Sequence, residues 1–461
     1  MRVGDAFGVH RLLVFRFVSL LAFACVVVLA YFVSARFARS QIVGFLAGAI
    51  LIGYEGYGAR AATAFEPKAA MLLFGLACLL ALQKRKWFWA GALGALAGLA
   101  WQIAWGYLIV ALLLAFAQGG STWQLRARAL GMTFAAACIV FGIYILYFAA
   151  HNALTEMFQQ TILSPALMHS VAARKLPARL NQLTRTFQVG YAAHTGFGVL
   201  GFVGFFVWVL VHLAPWQWRA FARRAFYFFV MHRRTAGVLL AASGFTAYLF
   251  IDFQNYPDWI PVLPYLALFA AWLLYASLAR VLQFLKASSR VQRAAFAVLA
   301  AFVLLFSVAH AFYAPAIDKQ MRSTTWQMQE RAALELNERI GADAPVWIVG
   351  KAELLFFMQR HNLNKYIYVL GNADAAADAF EPGGFKQVVH SALAQKPVLI
   401  VTARLQKRKF SRPENFTALQ NATKNFVALR SCKTFGSANF YVARAAADTL
   451  FPKNAQGCVK Q

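Results

Sequence analysis

Apolar runs long enough to enter a bilayer recur through the first two thirds of the chain. They lie at about 12–34, 42–58, 69–83, 88–102, 103–118, 129–150, 196–213, 236–252, 259–279 and 294–314, with short polar joints between them. Residues 88–118, carrying Gly91, Gly94 and Gly98, predict two close-packed short helices instead of one long one. After about residue 315 the pattern changes. Lys319 to Ile340 places apolar residues at helical spacing with charges between them, which predicts an amphipathic helix. β-like runs follow at Val346 to Val349, Tyr366 to Val369, Val398 to Val401 and Phe440 to Val442. Helical patterns around Glu353 to Gln359, Phe385 to Ala394 and Pro413 to Thr423 separate them, so a compact domain with a mainly parallel sheet is expected. The expected fold class is a polytopic α-helical membrane domain of about ten apolar segments over 1–315, followed by a small soluble α/β domain over 316–461.

Composition strengthens the membrane reading. Hydrophobic residues make up 61%, charged residues 13%, and the mean hydropathy is +0.55, more apolar surface than one water-soluble core could hide. The charge of +28, from 45 Lys+Arg against 17 Asp+Glu, would point to nucleic acid in a soluble protein. Here it is divided among joints: Lys84, Arg85 and Lys86; Arg126 and Arg128; Arg219, Arg223, Arg224, Arg233 and Arg234; Arg280, Lys286, Arg290 and Arg293. Apolar segments bound each cluster, which argues against a nucleic-acid partner and places all four in the cytoplasm by the positive-inside rule. Threading the chain accordingly puts 59–68, 151–195, 253–258 and everything after 315 outside, so the C-terminal domain is expected in the periplasm of a bacterial inner-membrane protein. The N-terminus also falls outside, although residues 1–11 contain no signal peptide. Either a positive outer N-terminus is tolerated or a preceding span is missing.

Two stretches carry a family resemblance. Phe65-Glu66-Pro67-Lys68 leads into an apolar helix, the basic turn Lys84-Arg85-Lys86 and a Gly/Ala-rich pair ending near Trp101-Gln102. Asp252-Phe253-Gln254-Asn255-Tyr256-Pro257-Asp258 leads into Pro261-Val262-Leu263-Pro264-Tyr265. Together they resemble the GT-C membrane glycosyltransferases of the protein mannosyltransferase and aminoarabinose transferase type. The order Ala344 to Gly350, Leu354 to Phe357 and Pro397 to Val401 is similar to the outer C-terminal domain of many such enzymes. The resemblance implies transfer of a sugar from a polyprenyl-phosphate donor to a lipid, glycan or protein acceptor at the outer face. The family's best-marked acidic motif lies in a first outer loop that would precede this chain. A catalytically inactive remnant or a non-enzymatic assembly subunit is therefore the alternative.

Such a transfer needs a carboxylate to take the acceptor's proton, cations to stabilise the departing phosphate and a groove for the isoprenoid tail. Glu66, Asp252 and Asp258 are the candidate catalytic carboxylates, with Tyr256 as a substrate-binding residue. Arg60, Lys68, Arg174, Lys175, Arg179 and Arg185 are candidates for the donor phosphate. The last four break the positive-inside pattern in the outer loop 151–195, as phosphate ligands or as an interfacial amphipathic segment would. Glu55 is a further carboxylate within an apolar run, where such a group is costly and usually partnered, unless the polar tract Tyr54 to Thr63 is an outer helix end. His151, His169 and His194 suggest no metal, and no ligand motif is found, so a divalent cation stays open as a cofactor. Cys432 and Cys458 share the outer domain, with their pairing open. Asn415-Phe416-Thr417 and Asn421-Ala422-Thr423 match glycosylation acceptors, which matter only on a eukaryotic secretory route.

Overall fold

The structure, a computed structural model, describes residues 11–63, 67–163, 176–213, 232–251, 256–313, 326–367, 374–403, 405–407, 410–429 and 438–451. It divides the chain into two compact units, 1–150 with 174–317, and 151–173 with 318–461.

The first unit is helical: α1 (Arg11–Ala38), α2 (Gln41–Ile52), α3 (Glu55–Thr63), α4 (Pro67–Gln83), α5 (Trp87–Ala100), α6 (Trp105–Gln118), α7 (Trp123–Ala150), α8 (Leu176–Tyr191), α9 (Thr195–Leu213), α10 (Arg233–Ile251), α11 (Leu263–Phe284) and α12 (Ser289–Tyr313). Its apolar helices are those of a multi-pass membrane protein. Each expected apolar run has a helical counterpart, and fewer than ten of these helices are long enough to cross on their own. Among the described residues five helices are long and apolar enough to cross: Leu13–Ala38, Trp123–Ala150, Thr195–His212, Leu263–Phe284 and Ser289–Ala311. A sixth is formed if α2 and α3, bent by 67°, count as one broken span. At 1.5 Å per residue, a 14-residue helix such as α5 reaches only about 21 Å against a hydrocarbon core of about 30 Å.

The short helices α4, α5 and α6 are packed among their neighbours, and glycine makes the approach close. A Cβ on Gly91 would lie 2.0 Å from the Thr133 carbonyl oxygen of α7, and one on Gly94 3.0 Å from the Leu108 Cα of α6. Gly98 meets the Trp105 ring in the same way, so α5 and α6 fold back on each other through the turn Gln102–Ala104, as 88–118 predicts.

The second unit is built on a four-stranded sheet of β1 (Val346–Val349), β2 (Leu399–Thr402), β3 (Phe426–Leu429) and β4 (Asn439–Ala443), in the order β1-β2-β4-β3. Only β1 and β2 are parallel, with Val346 opposite Leu399; β2–β4 and β3–β4 are antiparallel. The mainly parallel expectation is thus corrected: among the described residues the sheet is mixed, because Phe426–Leu429 is a strand that the hydrophobic pattern did not single out and it pairs with β4 as a hairpin would. The run from Tyr366 forms no strand where it is described, and residues 368–369 lie outside the described residues.

Alternation along the strands sends side chains to two faces. Val346, Ile348, Leu399, Val401, Phe440 and Val442 pack with α13 (Trp326–Ile340), α14 (Ala352–Met358) and α18 (Arg444–Leu450). Trp347, Val349 and Ile400 pack on the other face with α15 (Asp374–Phe380), α16 (Gly384–Ala394) and α17 (Pro413–Lys424). The edge strand β1 is closed by the Asn362 amide, whose Oδ1 accepts from Ile348 N–H at 2.7 Å and whose Nδ2 donates to Ile348 C=O at 3.1 Å.

Candidate functional site

Helix α4 connects two ends of the first unit. At its last residue the buried Gln83 Nε2 donates to the Arg234 carbonyl at 2.8 Å and to the Val33 carbonyl at 3.4 Å. This brings together the joints that carry Arg36 and Arg39, Lys84 to Lys86, and Arg234. Trp89 and Trp123 are exposed near basic joints, as interfacial aromatic residues are.

At the first turn of α4 the chemistry differs. Lys68 Nζ is 2.7 Å from Asp258 Oδ1, across 190 residues of sequence, with both side chains mostly buried. The ammonium also lies 4.7 Å from the centre of the Trp101 ring. Asp258 stands in the tight turn Tyr256–Trp259 that precedes α11. A cation in the first turn of a helix is opposed by the helix dipole, so Lys68 depends on Asp258 and Trp101 for its place.

The tight turn touches both α3, which carries Glu55 and Arg60, and α8. Leu183, Phe187 and Tyr191 form the buried stripe of α8, with Phe187 edge-on to Trp259 at 4.7 Å and Tyr191 edge-on to Tyr54 at 5.5 Å. Arg185 is on the exposed side of the same helix. Arg179 lies on α8 and Tyr256 opens the tight turn. Glu66, Asp252, Arg174 and Lys175 lie outside the described residues, as do His169, Cys432 and Cys458.

Two groups to which sequence reading assigned no site role take their places only through the fold. Trp101 has no local signal, because its neighbour Lys68 is brought to it by the folding of α4 against α5. His194 is fully buried at the elbow between α2 and α3, where Nε2 hydrogen-bonds Ser307 Oγ at 3.1 Å. Its ring meets Tyr54, Phe197, Phe306 and His310. Phe197 and Phe306 in turn line an apolar groove of about 230 Å³ with Gly196, Leu200 and Phe302. Glu55 is buried at the start of α3 and is partnered.

In the second unit, one glycosylation triplet is occupied by the fold. The buried Asn415 Nδ2 donates to Asp374 Oδ2 at 2.9 Å and Asp378 Oδ2 at 2.8 Å, leaving it no access as an acceptor, whereas Asn421 is exposed. Asp374 also accepts from Ser411 N–H and Oγ. Among the described residues no group of three or more His, Cys, Asp or Glu is placed to hold a metal ion.

No protein-family model matches this chain, and no curated protein sequence matches it.

Proposed function

We propose that the chain is a GT-C-like membrane glycosyltransferase that moves a sugar from a polyprenyl-phosphate donor to a lipid, glycan or protein acceptor at the outer face of a bacterial inner membrane. The Lys68–Asp258 pair against Trp101 carries this reading. It sits at the end of α4 opposite the basic joints, so the positive-inside rule puts it on the outer side together with the chain after residue 315. The dipole of α4 works against Lys68, and a mostly buried ammonium there is what a departing phosphate needs.

In the proposed reaction the acceptor oxygen bonds to the anomeric carbon as the bond from that carbon to the phosphate oxygen breaks. The acceptor's proton passes to a carboxylate and the polyprenyl phosphate leaves with its charge. Lys68 and Arg60 stabilise that charge, with Arg174, Lys175, Arg179 and Arg185 as further donor ligands. Glu66, Asp252 and Asp258 are the candidate bases, and Tyr256 helps bind the sugar. The apolar groove beside Phe197 and Phe306 suits an isoprenoid tail. A second reading, an assembly subunit without activity, is favoured by the tight hold of Lys68 on Asp258, because the carboxylate oxygen that would take the acceptor's proton is already engaged by the ammonium.

Binding of radiolabelled polyprenyl phosphate to the full chain in nanodiscs tests the proposal. Saturable binding is expected, weakened about tenfold or more when Lys68→Met and Arg60→Met are combined, the loss of roughly 1.4 kcal/mol or more. Non-saturable binding by the unmodified chain would contradict it.

A further inference from the structure

We propose that His194 is a positioning residue: its imidazole pins the elbow between α2 and α3 and thereby sets where α3 presents Glu55 and Arg60. Two segments far from it in sequence converge on this ring. Gly53 ends α2, and a Cβ built there would lie 1.8 Å from His194 Nε2, so the ring occupies the space a side chain would take. Ser307, near the end of α12, bonds the same nitrogen at 3.1 Å, and Phe306 stacks on the ring with centroids 5.3 Å apart. Tyr54, the next residue of the elbow, meets it edge-on at 5.8 Å.

The chain bends by 67° at Gly53–Tyr54, and the helix that leaves the bend begins with Glu55. Gly53 N–H is already bonded to Ile50 and Leu51 carbonyls, which closes α2 but does not fix the direction in which α3 departs. An imidazole wedged at that point, bonded on one side to α12, can fix it. Gly53 is then required by close approach rather than by backbone conformation, since its φ of −75° suits any residue. The purpose given to α3 rests on the transferase proposal; the pin itself does not.

The test uses the full chain in nanodiscs with its 5 cysteines replaced by serine. Spin labels at Gly58→Cys on α3 and Val203→Cys on α9 report the position of α3 by pulsed electron paramagnetic resonance. His194→Ala and Gly53→Ala are expected to displace or broaden the distance distribution. Ser307→Ala, a milder change that removes only the ring's hydrogen bond, should broaden it less. His194→Gln, whose amide nitrogen can replace Nε2, should restore it. Transfer should fall about ten- to a hundredfold in the first two variants, as small misplacements of reacting groups produce. An unchanged distribution in His194→Ala, or in Gly53→Ala if the former does not fold, would overturn the pin. Displaced distances together with no polyprenyl-phosphate binding by the unmodified chain would keep the pin and reject the transferase.

Discussion

The two ends of α4 lie in opposite chemical settings. At Gln83 a neutral amide gathers backbone carbonyls, and the cations of that end stand on the joints around it, Lys84, Arg85 and Lys86 being exposed. At Lys68 a cation is drawn inward, between a carboxylate and an indole. Exposed cations on joints orient a membrane protein and need no partner. A mostly buried ammonium costs desolvation and needs one, so the second end is where the chain holds polar chemistry in place.

The sharpest way to break this contrast is to show that the Lys68 end faces the cytoplasm. Alkaline phosphatase fused after Lys319 should be active, and a cytoplasmic reporter at the same site silent; the reverse pair of results would put the Lys68 end on the cytoplasmic side. Packing of the short helices gives the next largest effect. Gly91→Ala sets a methyl 2.0 Å from the Thr133 carbonyl, so α5 and α7 must separate, at about 1–3 kcal/mol for overpacking. Chemical unfolding in detergent should show that loss, whereas alanine at Gly142, where a Cβ meets nothing within 4 Å, should change little.

How much of this could be read beforehand differs between the two ends. The basic joints were legible because each is local: a few cations between two apolar runs. Short helices were legible in part, since the glycines of 88–118 lie within one window. The Lys68–Asp258 pair was named as two separate candidates but not as a pair, because 190 residues separate them and only folding brings them together. Trp101, His194 and Gly53 gave no signal of their roles, as each acts through a contact from another segment. In the second unit Phe426–Leu429 was missed for a similar reason. Phe426 and Val427 are half-buried and Ala428 is exposed, and the pairing with β4 makes it a strand.

Smaller effects sharpen the comparison. Gln83→Leu removes both donations to backbone carbonyls and should cost about 1–2 kcal/mol in thermal or chemical unfolding, without altering lipid binding at the far end. The smallest effect belongs to the second unit. Lys365 and then Tyr366 hold the Glu381 carboxyl below its ordinary value of 4.5, with Lys365 Nζ at 2.8 Å and Tyr366 Oη donating at 2.8 Å. A lowered folded value means that the carboxylate's contribution to stability is complete above 4.5 and is lost as the pH falls through the lower, folded value. Unfolding midpoints measured from pH 6 downward should therefore be less acid-sensitive in Glu381→Gln than in the unmodified chain. Equal sensitivity would show that the contact is too exposed to matter.

Reversing the pair tests the central claim most directly. In Lys68→Asp combined with Asp258→Lys the opposite charges still meet, and the aspartate now stands in the first turn of α4 where the dipole favours it. Binding of radiolabelled polyprenyl phosphate and the unfolding midpoint are measured on the same nanodisc preparation. If the Lys68 end is built to receive a phosphate, the reversed protein keeps its midpoint within a few degrees and loses saturable binding. A reversed protein that binds the lipid phosphate as tightly as the unmodified chain would contradict the account, leaving Lys68–Asp258 a structural clasp.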